Sequence, residues 1–208
     1  MRALRISAPG TLALGDVARP LPRAREILVR VDAAALNRAD LLQRAGRYPA
    51  PAGWPPDIPG LEFAGTVADR GEGATRWAVG DRVYGLVGGG AQAEYLTTHE
   101  LAVARVPDGL NAIEAAAVPE AFVTAHDALV AQARLREGER VLIFAVASGV
   151  GLAAVALVRA LGGEAYGTTR TPHKLDRVLA AGLAGGAAVR EPDDVPPHVE
   201  RWVGGGGM

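Results

Sequence analysis

Between residues 141 and 174 the chain sets out groups suited to holding a phosphorylated dinucleotide. Ser148-Gly149-Val150-Gly151 is a run of small residues at the point where an apolar stretch gives way to a helical one. A pyrophosphate comes close to backbone amides only where side chains are small, and the positive end of a helix favours it. Gly149 and Gly151 meet that need. The pattern is not a full G-x-G-x-x-G, because Ala145 and Ser148 stand where stricter versions have glycine. About 20 residues past such a turn, an NAD site usually offers Asp or Glu to the ribose hydroxyls. Here the chain reads Thr168-Thr169-Arg170-Thr171-Pro172-His173-Lys174, with no acid before Asp176. A carboxylate would repel a 2′-phosphate, whereas Arg170 and Lys174, beside the Thr171 hydroxyl, can pair with it. Lys174 is also the sole lysine of the chain. The small-residue turn alone equally fits an α/β connection that binds nothing. With the cations that follow it, the stretch reads as an NADPH site.

Three elements must position these groups. The apolar run at 141–144 suits a strand buried on both faces, and 152–161, rich in Ala and Leu and closed by Gly162-Gly163, suits a helix. Residues 165–169 suit a second strand, completing a βαβ unit of roughly 30 residues. The first hundred residues differ. Short β-like runs recur at 3–6, 11–14, 26–31, 63–67, 81–84, 91–97 and 102–106, separated by turns such as Pro9-Gly10 and Pro107-Asp108-Gly109, which argues for a barrel-like β domain. Exceptions are a short helix at 38–44 with Asn37 as its N-cap and a proline-rich loop at 48–59. A helix from about Asn111 to about Ala133, kinked at Pro119, joins the two parts.

Bulk properties limit the partners. The 208 residues carry a net charge of −1 and no cysteine. That leaves no electrostatic footprint for nucleic acid or an anionic membrane, no disulfide and no thiolate ligand. No apolar run approaches the roughly 20 residues that cross a bilayer, and the start lacks the apolar core of a signal peptide. The expectation is a soluble cytoplasmic protein.

The order of motifs carries a resemblance. Ala35-Leu36-Asn37-Arg38-Ala39-Asp40, Arg44-Ala45-Gly46-Arg47-Tyr48-Pro49, Pro59-Gly60-Leu61-Glu62-Phe63-Ala64-Gly65, Val79-Gly80-Asp81-Arg82-Val83 and Gly90-Ala91-Gln92-Ala93-Glu94-Tyr95 are followed by Ser148-Gly149-Val150-Gly151. Residues 1–203 thereby resemble the medium-chain dehydrogenase/reductase superfamily in its quinone oxidoreductase (zeta-crystallin-like) branch. The resemblance implies an α/β protein with a GroES-like β-barrel domain over 1–118. Residues 119–208 would then be the first half of a Rossmann, doubly wound parallel-sheet domain that binds NADPH, with the nicotinamide in the cleft between the two. It places Asn37 and Tyr48 by the acceptor carbonyl, as hydrogen-bond donors where oxyanion character develops, and the Thr124 hydroxyl near the cofactor. The blander readings make Asn37 a helix cap, Tyr48 a loop anchor and Thr124 a packing residue, with Asp40 and Arg44 structural.

Zinc-dependent members of the superfamily have Cys where this chain has Asn37 and Gly-His-Glu where it has Gly60-Leu61-Glu62. A catalytic zinc needs about three converging side chains, and His99, His126, His173 and His198 lack ligand spacing. The expected chemistry is metal-free hydride transfer from NADPH to a quinone, or to an activated alkene or carbonyl, as a small-molecule electron acceptor. Two alternatives stand beside it: a non-catalytic NADPH-binding or structural protein, and an enoyl-thioester reductase module of a larger synthase. The resemblance also implies that full-length relatives are homodimers. Two departures are visible. Val189 precedes Arg190-Glu191 where the family often has Tyr or His near the adenosine phosphate. After Trp202, where a full-length member runs into a fourth Rossmann strand, the chain reads Gly204 to Met208, which is expected to leave one edge of strand 141–144 unpaired.

Overall fold

Antiparallel ladders dominate the first part of the chain, as the short β-like runs require. The computed structural model describes residues 1–8 and 10–204; Pro9 of the expected first turn and residues 205–208 lie outside the described residues. The chain divides into two compact units, one ending at Glu120 and the other beginning at Ala121.

In the first unit β1 (Arg2–Ala8) and β2 (Thr11–Asp16) form a hairpin. Then come β3 (Glu26–Ala34), α1 (Arg38–Arg44), β4 (Glu62–Arg70), β5 (Arg82–Leu86), β6 (Tyr95–His99) and β7 (Val103–Arg105). The five later strands make one antiparallel sheet in the order β6-β3-β4-β5-β7. The sheet packs on a core of Ile27, Val29, Phe63, Val67, Val83 and Leu96, all buried. Each expected strand is found, although the run at 91–97 pairs regularly only from Tyr95. Glu100 anchors the loop before β5 from beneath: it is 1% exposed, and its carboxylate accepts the N–H groups of Thr75 and Arg76, each at 2.8 Å.

The expected connecting helix is three pieces. α2 (Ala112–Ala116) stops before Val118, α3 (Pro119–His126) starts afresh at the proline, and Asp127–Gln132 forms a wider π-helical turn. Proline cannot donate an N–H and disfavours helical backbone at the residue before it, so the break falls at Pro119 instead of a kink.

The second unit holds β8 (Arg140–Ile143), α4 (Gly149–Ala160), β9 (Glu164–Thr169), α5 (Pro172–Ala180), β10 (Gly185–Ala188) and α6 (Pro196–Trp202). Its strands are parallel in the order β10-β9-β8. Val146, Ala153, Val155, Val158, Ala165 and Val178 form its core. The expectation that 141–144 is buried on both faces does not hold: Val141, Leu142 and Ile143 are half-buried and Phe144 is exposed, because β8 pairs only with β9 among the described residues. On the sheet face carrying Tyr166, α6 sets Trp202 with ring centroids 5.5 Å apart. The α4 helix begins at Gly149, three residues before the expected start, because Ser148 caps it: its Oγ accepts the Gly151 N–H at 3.1 Å.

Candidate functional site

Asn37 sits where β3 has ended and α1 begins, and the β3–β4 pairing, Ala34 opposite Phe63, brings Glu62 towards it. The Asn37 amide Nδ2 donates to Glu62 Oε1 at 2.7 Å, and the Glu120 backbone N–H donates to Glu62 Oε2 at 2.8 Å. Glu62 is 3% exposed, so both oxygens of a buried carboxylate are used inside the first unit. Asn37 is the N-cap of α1 in a capping box, in which the Asp40 carboxylate accepts the Asn37 N–H at 2.7 Å. The Asn37 side chain thus serves the helix start and Glu62 together. One Nδ2 hydrogen remains for another partner.

Two neighbouring carboxyl groups are held above their ordinary values. Burial raises Asp40, against the lowering effect of the Asn37 N–H bond. Burial also raises Glu120, helped by the negative charges of Glu62 and Asp40. Asp40 and Glu120 thus favour keeping a proton. Tyr48 is 45% exposed, and its hydroxyl has no hydrogen-bond partner among the described residues, Asn37 included. Leu36 and Leu41, on either side of Asn37 in the chain, are also exposed, which leaves an apolar surface near the amide.

In the second unit the turn before α4 presents Ser148 and Gly149 exposed and Val150 half-buried. The two glycines differ. A Cβ on Gly149 would meet no atom within 4 Å, so the surface there is open to a ligand. On Gly151 a Cβ would lie 2.5 Å from the Val146 carbonyl oxygen, so that glycine serves packing of the helix on its own turn and not pyrophosphate approach, as its spacing suggests. Ala145, where a stricter pattern has glycine, has φ +51°, in the left-handed region. After β9, Arg170 and Lys174 are exposed and Thr171 half-buried, and neither cation forms an ion pair among the described residues. Unpaired cations beside an open helix start fit a dinucleotide phosphate set. Thr124 is exposed on α3, and its hydroxyl has no hydrogen-bond partner among the described residues. Among the described residues no group of three or more His, Asp or Glu is arranged to hold a metal ion.

Sequence reasoning placed Asn37 but treated Glu62 only as a leftover zinc-motif acid, and it did not single out Glu120. The Glu62 signal was its place inside Pro59-Gly60-Leu61-Glu62-Phe63, opposite the end of β3. Glu120 contributes a backbone N–H, which no side-chain motif announces.

Residues 23–108 match the alcohol dehydrogenase GroES-like domain family. The chain is 46% identical over 168 residues to erythronolide synthase EryA2 of Saccharopolyspora erythraea, covering 81% of this chain and 4% of that protein. Among solved structures, the CurK enoyl reductase superposes with a TM-score of 0.88 at 30% identity, over all of this chain and 65% of that one. Mycobacterial Rv1454c complexed with NADPH gives 0.88 at 30% identity, covering 65% of its length. An NAD-dependent alcohol dehydrogenase gives 0.88 at 32% identity, covering 69%. The chain thus spans about two thirds of these solved structures and a small part of the synthase.

Proposed function

Since the chain belongs to the medium-chain dehydrogenase/reductase superfamily, we propose that it reduces an electron-poor alkene conjugated to a carbonyl, with NADPH as hydride source and an enoyl thioester as acceptor class. The residues alone put quinones first. The 46% identity to a polyketide synthase and the likeness to an enoyl reductase move the thioester ahead. The quinone reading keeps the Arg44–Pro49 motif in its favour and stands second.

The observation that carries the proposal is the Asn37–Glu62 pair. When bound, NADPH supplies a hydride to the β-carbon of the conjugated alkene. The electrons displaced from the double bond collect on the acceptor's carbonyl oxygen, and the remaining Asn37 Nδ2 hydrogen answers that charge. Because Glu62 already fixes the amide rotation, the donor loses little freedom when it acts, the condition under which such a donor contributes most. The proton that completes the reduction comes from water or from the exposed Tyr48 hydroxyl. Leu36 and Leu41 supply an apolar surface suited to an acyl chain. In the second unit Ser148, Gly149 and Val150 would hold the pyrophosphate, Arg170, Thr171 and Lys174 the 2′-phosphate, and Thr124 would lie by the cofactor.

The test is NADPH consumption with the crotonyl thioester of N-acetylcysteamine and, separately, with 1,4-benzoquinone. The thioester should give the higher kcat/KM, and Asn37→Ala should lower kcat by about a hundredfold, the usual cost of losing one oxyanion donor. Turnover of the quinone alone would select the second reading. An unimpaired Asn37→Ala enzyme would remove Asn37 from the chemistry.

A further inference from the structure

The helix that carries Asn37 buries two of its side chains, Asp40 and Gln43, and both are polar. Leu41 is exposed and Leu42 half-buried, so the seven residues of α1 offer little apolar area to fix them in place. Directional bonds must do it instead. At the N-terminal end the tie is Asn37 Nδ2 to Glu62. At the other end it is Gln43, which is 6% exposed. Its Oε1 accepts the buried Gly60 N–H at 3.2 Å, and its Nε2 donates to the Gly88 carbonyl in a longer bond of 3.5 Å.

What Gln43 grips is a fixed point. The Gly90 N–H donates to the Ile58 carbonyl at 2.8 Å, the Gln92 N–H to Pro59 at 3.0 Å and the Val87 N–H to Leu61 at 2.8 Å, so the segment leading to Glu62 is bonded along its length. Gly60 has φ +105°, and a Cβ there would stand 2.7 Å from the Gln92 nitrogen, so its backbone is closely fitted too. Two cross-links thus join α1 to one segment: Asn37 to Glu62 and, six residues on, Gln43 to Gly60. One link would leave the helix free to pivot about it; the second removes that freedom. Just beyond Gln43 the helix closes at Gly46, φ +70°, where the Gly46 and Arg47 N–H groups donate to the Gln43 and Leu42 carbonyls.

We infer that Gln43 is a positioning residue: by binding Gly60 it holds the Asn37 amide on Glu62, in the orientation that leaves one Nδ2 hydrogen directed to the acceptor. The inference rests on the oxyanion role proposed above for Asn37. Gln43 is buried and acts only through that amide. Its effect is large because a donor to developing charge works at a fixed distance, and a displacement of about 1 Å forfeits much of its contribution.

The experiment follows the Asn37 side-chain amide directly. The chain has two asparagines, Asn37 and Asn111, so in a nitrogen-15 spectrum of the whole chain the Asn37 signal is the one lost in Asn37→Ala. Gln43→Met keeps an unbranched side chain of similar size, removes the acceptor, and should speed exchange of the Nδ2 proton on Glu62 at least tenfold. Gln43→Asn stays polar but ends one carbon short of Gly60; it should do the same and serves if the methionine variant fails to fold. With the crotonyl thioester, either variant should lower kcat about tenfold and leave KM for NADPH within about twofold. Gln43→Met added to Asn37→Ala should cost nothing further, because the amide it positions is gone. Unchanged exchange would overturn the inference, and so would losses that add in the double variant. Faster exchange with kcat unaffected would instead remove Asn37 from the chemistry and leave Gln43 holding its amide, so the two ideas fail separately.

Discussion

Asn37 and Glu62 are far apart in the chain and meet because strand pairing carries one to the other, at 2.7 Å. Around them the acids obey burial more than sequence. Glu120 has its carboxyl above the ordinary 4.5, first by burial and then by Glu62 and Asp40. The folded chain therefore holds that proton more tightly than the unfolded chain. The stability this contributes is full below about pH 4.5 and is lost as pH rises through the raised folded value. Glu120→Gln keeps the backbone N–H on Glu62 and abolishes the loss, so its denaturation midpoint relative to the parent should climb between about pH 4 and about pH 7. A midpoint difference constant over that range would contradict the burial argument. At the other site, Arg170→Ala should weaken NADPH by about tenfold or more and leave NADH nearly unchanged, since a charge-assisted phosphate contact contributes about 1.5–3 kcal/mol. Fluorescence titration with both coenzymes checks this, and equal losses would exclude a 2′-phosphate contact.

The turn from β8 to α4 shows how one element is shaped by its smallest parts. Ala145 at φ +51° occupies backbone that costs a non-glycine residue about 1–2 kcal/mol. Glycine would relieve that strain and give back part of the gain in unfolded-state freedom. Ala145→Gly should therefore raise stability by about 0.5–1 kcal/mol in urea denaturation; a loss would show that the Ala145 methyl group packs to advantage. The same turn marks where reading the sequence stops short. Gly149-Val150-Gly151 resembles a loop by composition, yet it is the first turn of α4, because Ser148 captures the Gly151 N–H. The α1 bounds were legible, since Asn37 and the run after it form a local signal, whereas the job of the Asn37 side chain was not, since its partner arrives through β4. Likewise β9 and the cations after it follow from local pattern. The half-burial of β8 depends on which strands lie beside it, and that information is not local.

At the scale of the molecule, each unit has its own buried core, one around Phe63 and Val67 and the other around Val155 and Val158. Their ladders differ in reach. In the first unit Glu26 pairs with His99, across most of that unit's length, while in the second Arg140 pairs with Glu164 across a single helix. That difference governs time as well as shape. Long segments must close before β3 and β6 gain anything from meeting, and such non-local pairing slows folding. The β8–α4–β9 unit closes early. Tryptophans report the two separately, with Trp77 in the first core and Trp202 stacked near Tyr166 in the second. On rapid dilution from urea, Trp202 emission should recover in the faster phase and Trp77 in one slower by about tenfold or more. Trp202→Phe should erase the fast phase alone, whereas a fast phase that persists in that variant would mean the first unit's long loops close before the second unit forms.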